Sequence, residues 1–237
     1  MAGLIVSVRN WREAEIAAGN GASLVDIKEP RRGSLGRASD RTIHSVVHAI
    51  AAKVPISAAL GELLDRRGSP DCGRLAYVKW GLSGYARKVW PGALVANRDD
   101  FRNRWPACRP VVVAYGDWRR ARSPLPKALC DFAADRRFSA LLLDTWNKDG
   151  STLLDWIGDR ELAEIAAYCR SSGVKLALAG SLGPSEILAL RPLHPDWFAV
   201  RGAVCRQGMR GATLDRLALR RIAGVVAGHT IKAVVES

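Results

Sequence analysis

A carboxylate and an amine lie on the same face of a short apolar segment near the start of the chain. The segment Leu24–Lys28 reads Leu-Val-Asp-Ile-Lys, which is typical of a buried strand, and a loop rich in Pro, Gly and Arg follows it. Strand alternation puts Asp26 and Lys28 on one face and Ile27 on the other. Burial of such charges costs free energy. A single Asp-x-Lys pattern favours a structural ion pair, but similar residues recur further along the chain.

The elements that must position these residues alternate regularly between strands and helices. Eight short apolar runs predict strands: Gly3–Val8, Leu24–Lys28, Pro55–Leu60, Ala76–Leu82, Pro110–Tyr115, Ala140–Thr145, Val174–Ala179 and Trp197–Val200. Amphipathic segments lie between most of them, and no linker divides the series. This count predicts one TIM (β/α)8 barrel domain over residues 1–237. The alternative is a doubly wound open sheet, which would need a Gly-rich turn after the first strand, and Ser7-Val8-Arg9-Asn10 is not one.

In a barrel, the chemistry lies at the carboxyl ends of the strands. Those ends bring three lysines and two aspartates to one rim: Lys28, Lys79, Lys148, Asp26 and Asp144. A free lysine has a pKa of about 10.4, but crowded ammonium groups and apolar walls lower it and produce an amine that can form a Schiff base. Neighbouring aspartates can move protons. We therefore predict a catalytic site from these five residues. Glu62 and Asp117 also follow strands.

The last two strands end in loops of a different kind. Ala179-Gly180-Ser181-Leu182-Gly183 precedes a helix, and Arg201-Gly202 follows the eighth strand. Glycines let backbone N–H groups approach an anion closely, and barrels often bind phosphate at this position. Either glycine alone would be an ordinary turn residue. Their occurrence in both late loops, together with Arg201, predicts phosphate binding by Gly180, Ser181, Arg201 and Gly202.

Composition and charge limit the class of protein. The 237 residues carry a net charge of +13, spread over the whole length with acidic residues interspersed. No basic tail or aromatic-basic signature of RNA binding is present, so we expect a basic surface that suits anionic substrates, not a specific nucleic-acid partner. The first residues do not resemble a secretory signal, and no apolar stretch is long enough to span a bilayer. We expect a cytoplasmic protein without a membrane partner.

Residues that bind metals do not cluster in the sequence. The five cysteines are dispersed without C-x-x-C spacing, which argues against a zinc site and against a disulfide framework. His44 and His48 lie one helical turn apart, but no Glu or Cys partner is close to them. We therefore expect no metal, and we expect the cysteines to be mostly small buried apolar residues.

Several of these segments together resemble one family. The matching segments are Val25-Asp26-Ile27-Lys28-Glu29-Pro30, Gly33-Ser34-Leu35-Gly36, Tyr77-Val78-Lys79-Trp80-Gly81, Leu143-Asp144-Thr145 with Lys148-Asp149-Gly150, Leu178-Ala179-Gly180-Ser181-Leu182, and Val200-Arg201-Gly202-Ala203 with Cys205. They are similar to the (5-formylfuran-3-yl)methyl phosphate synthases of methanofuran biosynthesis, from the first strand to the last. One residue departs from the pattern: Met209 stands where the family pattern leads us to expect an acidic residue.

The resemblance implies a TIM barrel that condenses two molecules of glyceraldehyde 3-phosphate into a furan aldehyde phosphate, with release of phosphate and water. It implies Lys28 as the Schiff-base lysine and Lys79 as the proton acceptor, with Asp26, Asp144 and Lys148 around them. Imine chemistry and proton transfers suffice for these steps, so no cofactor is expected.

Two other classes stay open. One is a simpler Schiff-base aldolase or sugar-phosphate isomerase on the same barrel, whose product would lack the near-ultraviolet absorbance of a furan. The other is a basic nucleic-acid-binding protein, for which salt-sensitive binding and no triose phosphate chemistry are expected. The sequence also leaves open whether the protein forms a homo-oligomer.

Overall fold

Eight parallel strands close into a barrel in the computed structural model, which describes residues 1–65, 70–71, 73–86 and 89–228. The strands are β1 (Gly3–Val8), β2 (Leu24–Ile27), β3 (Ile56–Glu62), β4 (Tyr77–Gly81), β5 (Arg109–Tyr115), β6 (Ala140–Asp144), β7 (Lys175–Leu178) and β8 (Trp197–Val200). Each strand pairs with the next in sequence, and β8 pairs with β1. The predicted fold class is therefore confirmed.

The helices lie between the strands, as in other barrels of this class. They are α1 (Trp11–Ala18), α2 (Asp40–Ile50), α3 (Trp90–Arg104), α4 (Trp118–Ala121), α5 (Pro126–Asp135), α6 (Asp159–Ser171), α7 (Pro184–Leu190) and α8 (Arg216–Val226). Side-chain caps fix several starts: Asn10 accepts from the N–H of Glu13, Ser39 from that of Thr42, and Asp215 from that of Ala218. No helix in the described ranges is long and apolar enough to cross a membrane.

Alternation along the strands divides the apolar side chains into two sets. One set, which includes Ile5, Val111, Val113 and Leu142, fills the inside of the barrel. The other set, with Val6 among its members, packs between the strands and the helices around them. Because every strand is covered on both sides, the strands read as almost continuous apolar runs. Polar residues that point inwards therefore stand out at the strand ends.

Four of the cysteines, Cys108, Cys130, Cys169 and Cys205, are buried, as expected for small apolar residues. Cys72 lies outside the described residues. In the described part of the chain, no group of three or more His, Cys, Asp or Glu side chains is arranged to hold a metal ion.

Candidate active site

A cavity of about 1470 Å³ opens among the carboxyl ends of the strands. All five of the predicted catalytic residues line it: Asp26, Lys28, Lys79, Asp144 and Lys148. Asp26, Lys79 and Asp144 come from β2, β4 and β6, which are alternate strands. Alternate strands of a TIM barrel contribute side chains to the same layer of its interior, so these residues can meet although their strands are not neighbours.

Asp26 pairs with Lys79, not with Lys28. Lys79 Nζ donates to Asp26 Oδ1 in a buried ion pair. Ser57 Oγ donates to the same oxygen at 2.5 Å, and Ser7 Oγ donates to Asp26 Oδ2 at 3.3 Å. Sequence reasoning missed both serines. The two serines could have been predicted from the strand pairing, since β1 and β3 place Ser7 and Ser57 directly beside Asp26 in the sheet.

Asp144 forms a second acid–amine pair with Lys148. Lys148 Nζ lies 2.6 Å from Asp144 Oδ1 and 2.8 Å from Thr145 Oγ1. Burial acts to raise the pKa of Asp144, but the charges of Lys148 and Lys28, with hydrogen bonds from Lys148 and the Thr145 N–H, outweigh burial and lower it. Asp144 is thus held as a carboxylate beside an ammonium group.

Lys28 differs from the other two lysines in having no ion-pair partner. Its side chain is 8% exposed, and no residue in the described ranges forms a salt bridge or hydrogen bond with its Nζ. Burial lowers the pKa of Lys28 to about 8; Asp144 and Asp26 act to raise it, while the positive charges of Lys148 and Arg210 lower it further. A buried amine with this pKa is partly neutral near physiological pH, which a nucleophile requires.

The four residues predicted to bind phosphate all line the cavity: Gly180, Ser181, Arg201 and Gly202. Gly180 has φ +101° and Ser181 φ +54°, so the chain turns sharply here and a side chain at position 180 would be strained. Among the described residues, the N–H groups of Gly180 and Ser181 have no hydrogen-bond acceptor. Such N–H groups can bind an anion.

The structure gives Arg201 a structural role that the sequence did not predict. Its guanidinium is buried at the cavity wall, 2.5 Å from Glu13 Oε2. Its other N–H groups donate to the backbone oxygens of Ser7, Arg210 and Ala212 and to Glu13 Oε1. A guanidinium has five N–H donors. All five donate to protein oxygens, so Arg201 could bind a phosphate only if one of these hydrogen bonds broke, and its phosphate-binding role stays a prediction.

A second arginine, Arg210, also places its guanidinium group at the cavity. It lines the cavity, and its Nη2 donates to the backbone oxygen of Gly33 at 3.2 Å. No signal in the sequence distinguished Arg210 from Arg206, which lies in the same loop but is exposed and not part of the cavity wall.

The two remaining acids at strand ends hold neighbouring segments in place. Asp117 accepts hydrogen bonds from the backbone N–H groups of Trp146 and Asn147, at 2.6 and 2.9 Å, and so fixes the loop that carries Lys148. Glu62 accepts from Tyr115 Oη at 2.7 Å and from the N–H of Ser83 at 2.8 Å. Burial raises the pKa of Glu62, and burial beside that carboxyl group raises the pKa of Tyr115 well above its usual value.

The contact between Glu62 and Tyr115 depends on the glycine that follows Trp80. A Cβ atom on Gly81 would overlap both Glu62 Oε2 and Tyr115 Oη. Gly81→Ala should therefore lower the free energy of unfolding by about 1–3 kcal/mol, the usual cost of overpacking. Urea denaturation measures this change. Gly92→Ala is the matched control, because a Cβ at this helical position meets nothing within 4 Å, and it should leave stability equal or higher. An equal response of both variants would contradict the steric argument.

The fold and the cavity define the class of the protein: it is a TIM barrel with a polar site at the carboxyl ends of the strands. Solved structures with the same fold include monomers of the dimeric phosphoribosylanthranilate isomerase from Thermotoga maritima, with a TM-score of 0.60 and 15% identity over 96% of this chain and 100% of that one. KGPDC from Streptococcus mutans gives a TM-score of 0.59 and 14% identity over 100% of this chain and 98% of that one. These likenesses show the fold alone.

Sequence comparison gives the family. A family model described as 4-HFC-P synthase matches residues 4–223. The chain is 30% identical over 228 residues to the (5-formylfuran-3-yl)methyl phosphate synthase of Methanosarcina acetivorans, covering 93% of this chain and 97% of that one. The enzyme of the same name from Methanopyrus kandleri is 31% identical over 244 residues, covering 99% and 98%. The chain belongs to the (5-formylfuran-3-yl)methyl phosphate synthase family.

Proposed function

We propose that this protein condenses two molecules of glyceraldehyde 3-phosphate into (5-formylfuran-3-yl)methyl phosphate, with release of phosphate and water, as a step in the biosynthesis of a methanofuran-type cofactor. Membership of the family supports the product. The observation that carries the Schiff-base mechanism is the state of the three lysines. Lys79 and Lys148 are each paired with an aspartate, while Lys28 is buried, has no ion-pair partner within the described part of the chain and has a lowered pKa.

The reaction begins with attack of the neutral Lys28 amine on the carbonyl carbon of one triose phosphate. Loss of water forms an imine, which acidifies the adjacent C–H bond. Lys79 Nζ donates to Asp26, so once Lys79 has passed a proton to that carboxylate, its neutral amine can take up the proton from the C–H bond. The enamine that results attacks the aldehyde carbon of the second triose phosphate and forms the new C–C bond.

The Asp144–Lys148 pair serves the second half of the reaction. Lys148 can donate a proton to the oxygen that becomes negative when the aldehyde is attacked, and the Asp144 carboxylate orients the Lys148 amine for this transfer. Cyclisation and loss of water and phosphate then produce the aromatic ring, and hydrolysis of the bond to Lys28 releases the aldehyde and the free amine. The backbone N–H groups of Gly180 and Ser181, with Gly202 nearby, suit one substrate phosphate. Every step is a proton transfer, an addition or an elimination.

The direct test is incubation of the purified protein with glyceraldehyde 3-phosphate, followed by mass spectrometry and near-ultraviolet absorbance of the product. A furan aldehyde phosphate with strong absorbance is expected. A non-absorbing aldol product would show the simpler aldolase, and unchanged triose phosphate would remove the proposal. Lys175→Met is the control variant, since Lys175 begins β7 at the opposite end of the barrel and stacks on Trp197.

The pH dependence of kcat/KM should report on Lys28 in the free enzyme. Because burial lowers its pKa to about 8, the fraction of neutral amine falls as the pH drops below this value. We expect kcat/KM to fall towards the acid side and to approach a decrease of about tenfold per pH unit. Initial rates between pH 6 and pH 9 measure this profile. A rate constant that does not change over this range would contradict nucleophilic attack by a lysine whose pKa is about 8.

A further inference from the structure

Three consecutive backbone oxygens in the loop between β8 and α8 each accept a hydrogen bond from an arginine side chain. Arg201 Nε donates to the oxygen of Arg210 at 2.9 Å, and Arg201 Nη2 donates to that of Ala212 at 2.6 Å. Arg9 Nη1 donates to the oxygen of Gly211, which lies between them. The backbone of residues 210–212 is therefore held from one side by two guanidinium groups.

Both guanidinium groups bind the same buried carboxylate, that of Glu13. Arg201 Nη1 lies 2.5 Å from Glu13 Oε2, and Arg9 Nη2 lies 2.9 Å from Glu13 Oε1. Glu13 is 3% exposed and lies in the first turn of α1, where Asn10 caps the helix. Burial acts to raise the pKa of Glu13, but the hydrogen bonds and charges of the two arginines outweigh burial and lower it. Glu13 is thus ionised and neutralises part of their charge.

The loop fixed in this way carries Arg210 into the cavity. Arg210 lines the same cavity as Lys28 and Asp144, and its Nη2 contacts Gly33 in the loop after β2. Within the described residues, Nη2 is the one guanidinium nitrogen of Arg210 that donates a hydrogen bond to protein. The rest of its guanidinium is available to a ligand, unlike that of Arg201.

We propose that Glu13 is a positioning residue of the site. Glu13 holds Arg9 and Arg201, and these two arginines fix the backbone of residues 210–212. The fixed backbone keeps the guanidinium of Arg210 in the cavity, where this guanidinium binds a phosphate of the substrate. This inference rests on the proposed function for the identity of the substrate. A loop arginine that is held in place before binding loses less conformational entropy when it binds an anion, so the arrangement increases affinity. Glu13 acts through Arg210 and does not touch the substrate.

The first experiment compares Arg210→Ala with Arg206→Ala, which removes an exposed arginine of the same loop. A charged hydrogen bond to phosphate corresponds to a change in affinity of about tenfold or more. Arg210→Ala should therefore raise the KM for glyceraldehyde 3-phosphate by about tenfold or more, and Arg206→Ala should leave it unchanged. Loss of a positive charge near Lys28 should also move the acid limb of the pH profile to higher pH, which a merely structural role would not do. An unchanged KM for Arg210→Ala overturns the assignment.

The second experiment is a double-mutant cycle between Glu13 and Arg210. Glu13→Gln keeps the shape of the side chain but removes its charge, and it should raise KM by about tenfold. In the Glu13→Gln/Arg210→Ala double variant, KM should equal that of Arg210→Ala alone. Glu13 has no further effect on KM once the side chain of Arg210 is absent. Additive effects on KM overturn the proposal, since Glu13 would then act elsewhere. If Glu13→Gln fails to fold, Arg9→Met replaces Glu13→Gln in the cycle, with the same expected effects on KM. Arg9→Met removes the contact to Gly211 and leaves the buried Glu13–Arg201 pair intact.

Titration calorimetry with inorganic phosphate separates this inference from the proposed function. If the wild-type protein makes no furan but binds phosphate, and Arg210→Ala weakens that binding by about tenfold while Arg206→Ala does not, the proposed function fails and the anion site stands. If the wild-type protein makes the furan and Arg210→Ala changes neither KM nor phosphate binding, the function stands and the positioning role fails.

Discussion

Lys28→Arg should abolish furan formation while the protein remains folded. The guanidinium stays protonated at any pH at which the protein is active, so it cannot form an imine with a carbonyl group. Loss of a covalent nucleophile removes the reaction path, and we expect kcat to fall by at least about a thousandfold. Borohydride added during turnover should convert the imine of the wild-type protein into a secondary amine, and peptide mapping should find the mass of a reduced triose phosphate on Lys28. Circular dichroism and thermal unfolding check that the variant is folded.

The trapping experiment also distinguishes Lys28 from the other lysines of the cavity. Lys148 lies 2.6 Å from Asp144 and also follows a strand, so it is the main alternative site of the label. Label on Lys148 would not contradict the fold or the identity of the product, but Lys148 and not Lys28 would then be the Schiff-base lysine. If no lysine is labelled during turnover and Lys28→Arg still makes the furan, the Schiff-base mechanism is wrong. Lys175→Arg should keep both label and activity, since Lys175 lies at the far end of the barrel.

Lys79→Arg should keep the buried positive charge beside Asp26 but lose the ability to exchange a proton near neutral pH. If Lys79 removes the proton from the imine intermediate, kcat should fall by about 10²–10⁴-fold, the usual contribution of a general base. The imine on Lys28 should still form, so borohydride should still label Lys28 in this variant. Single-turnover rates together with the extent of labelling measure the two steps separately.

A near-wild-type rate for Lys79→Arg would mean that Lys79 supplies only charge. Asp26→Asn is the complementary variant, because it removes the negative charge beside Lys79 and replaces one of the two oxygens that accept from Lys79, Ser57 and Ser7 with an NH2 donor. If Asp26 orients Lys79, Asp26→Asn should lower kcat and leave labelling of Lys28 in place. A loss of labelling in both variants would instead assign the Asp26–Lys79 pair to imine formation.

The strands were predictable from the sequence, whereas the boundaries of α3 were not. A strand that is buried on both faces needs apolar side chains at nearly every position, so runs such as Pro110–Tyr115 identified the sheet directly. The segment Ser83–Arg109 contains α3, Trp90–Arg104, for which no boundaries could be predicted. The burial of this helix depends on a few large side chains such as Leu94 and Phe101, and its apolar residues do not form one stripe.

The sequence by itself determined that the five residues predicted to be catalytic reach the cavity. Parallel strands end at the same rim and side chains alternate along each strand, so Asp26, Lys28, Lys79, Asp144 and Lys148 could be assigned to one site without coordinates. The same argument placed the glycine-containing loops after β7 and β8 at the cavity. Each of these inferences needs only the position of a residue along its own strand.

The tertiary structure alone decided which of these residues are partners. Asp26 pairs with Lys79 from β4, although Lys28 is its neighbour in sequence, because layers inside the barrel join alternate strands. Arg201 and Arg210 both line the cavity, but the guanidinium of Arg201 is bound to Glu13 from α1. Partners of this kind come from segments far apart in the chain. Their distances depend on the register of the closed barrel and on loop conformation, neither of which strand alternation specifies.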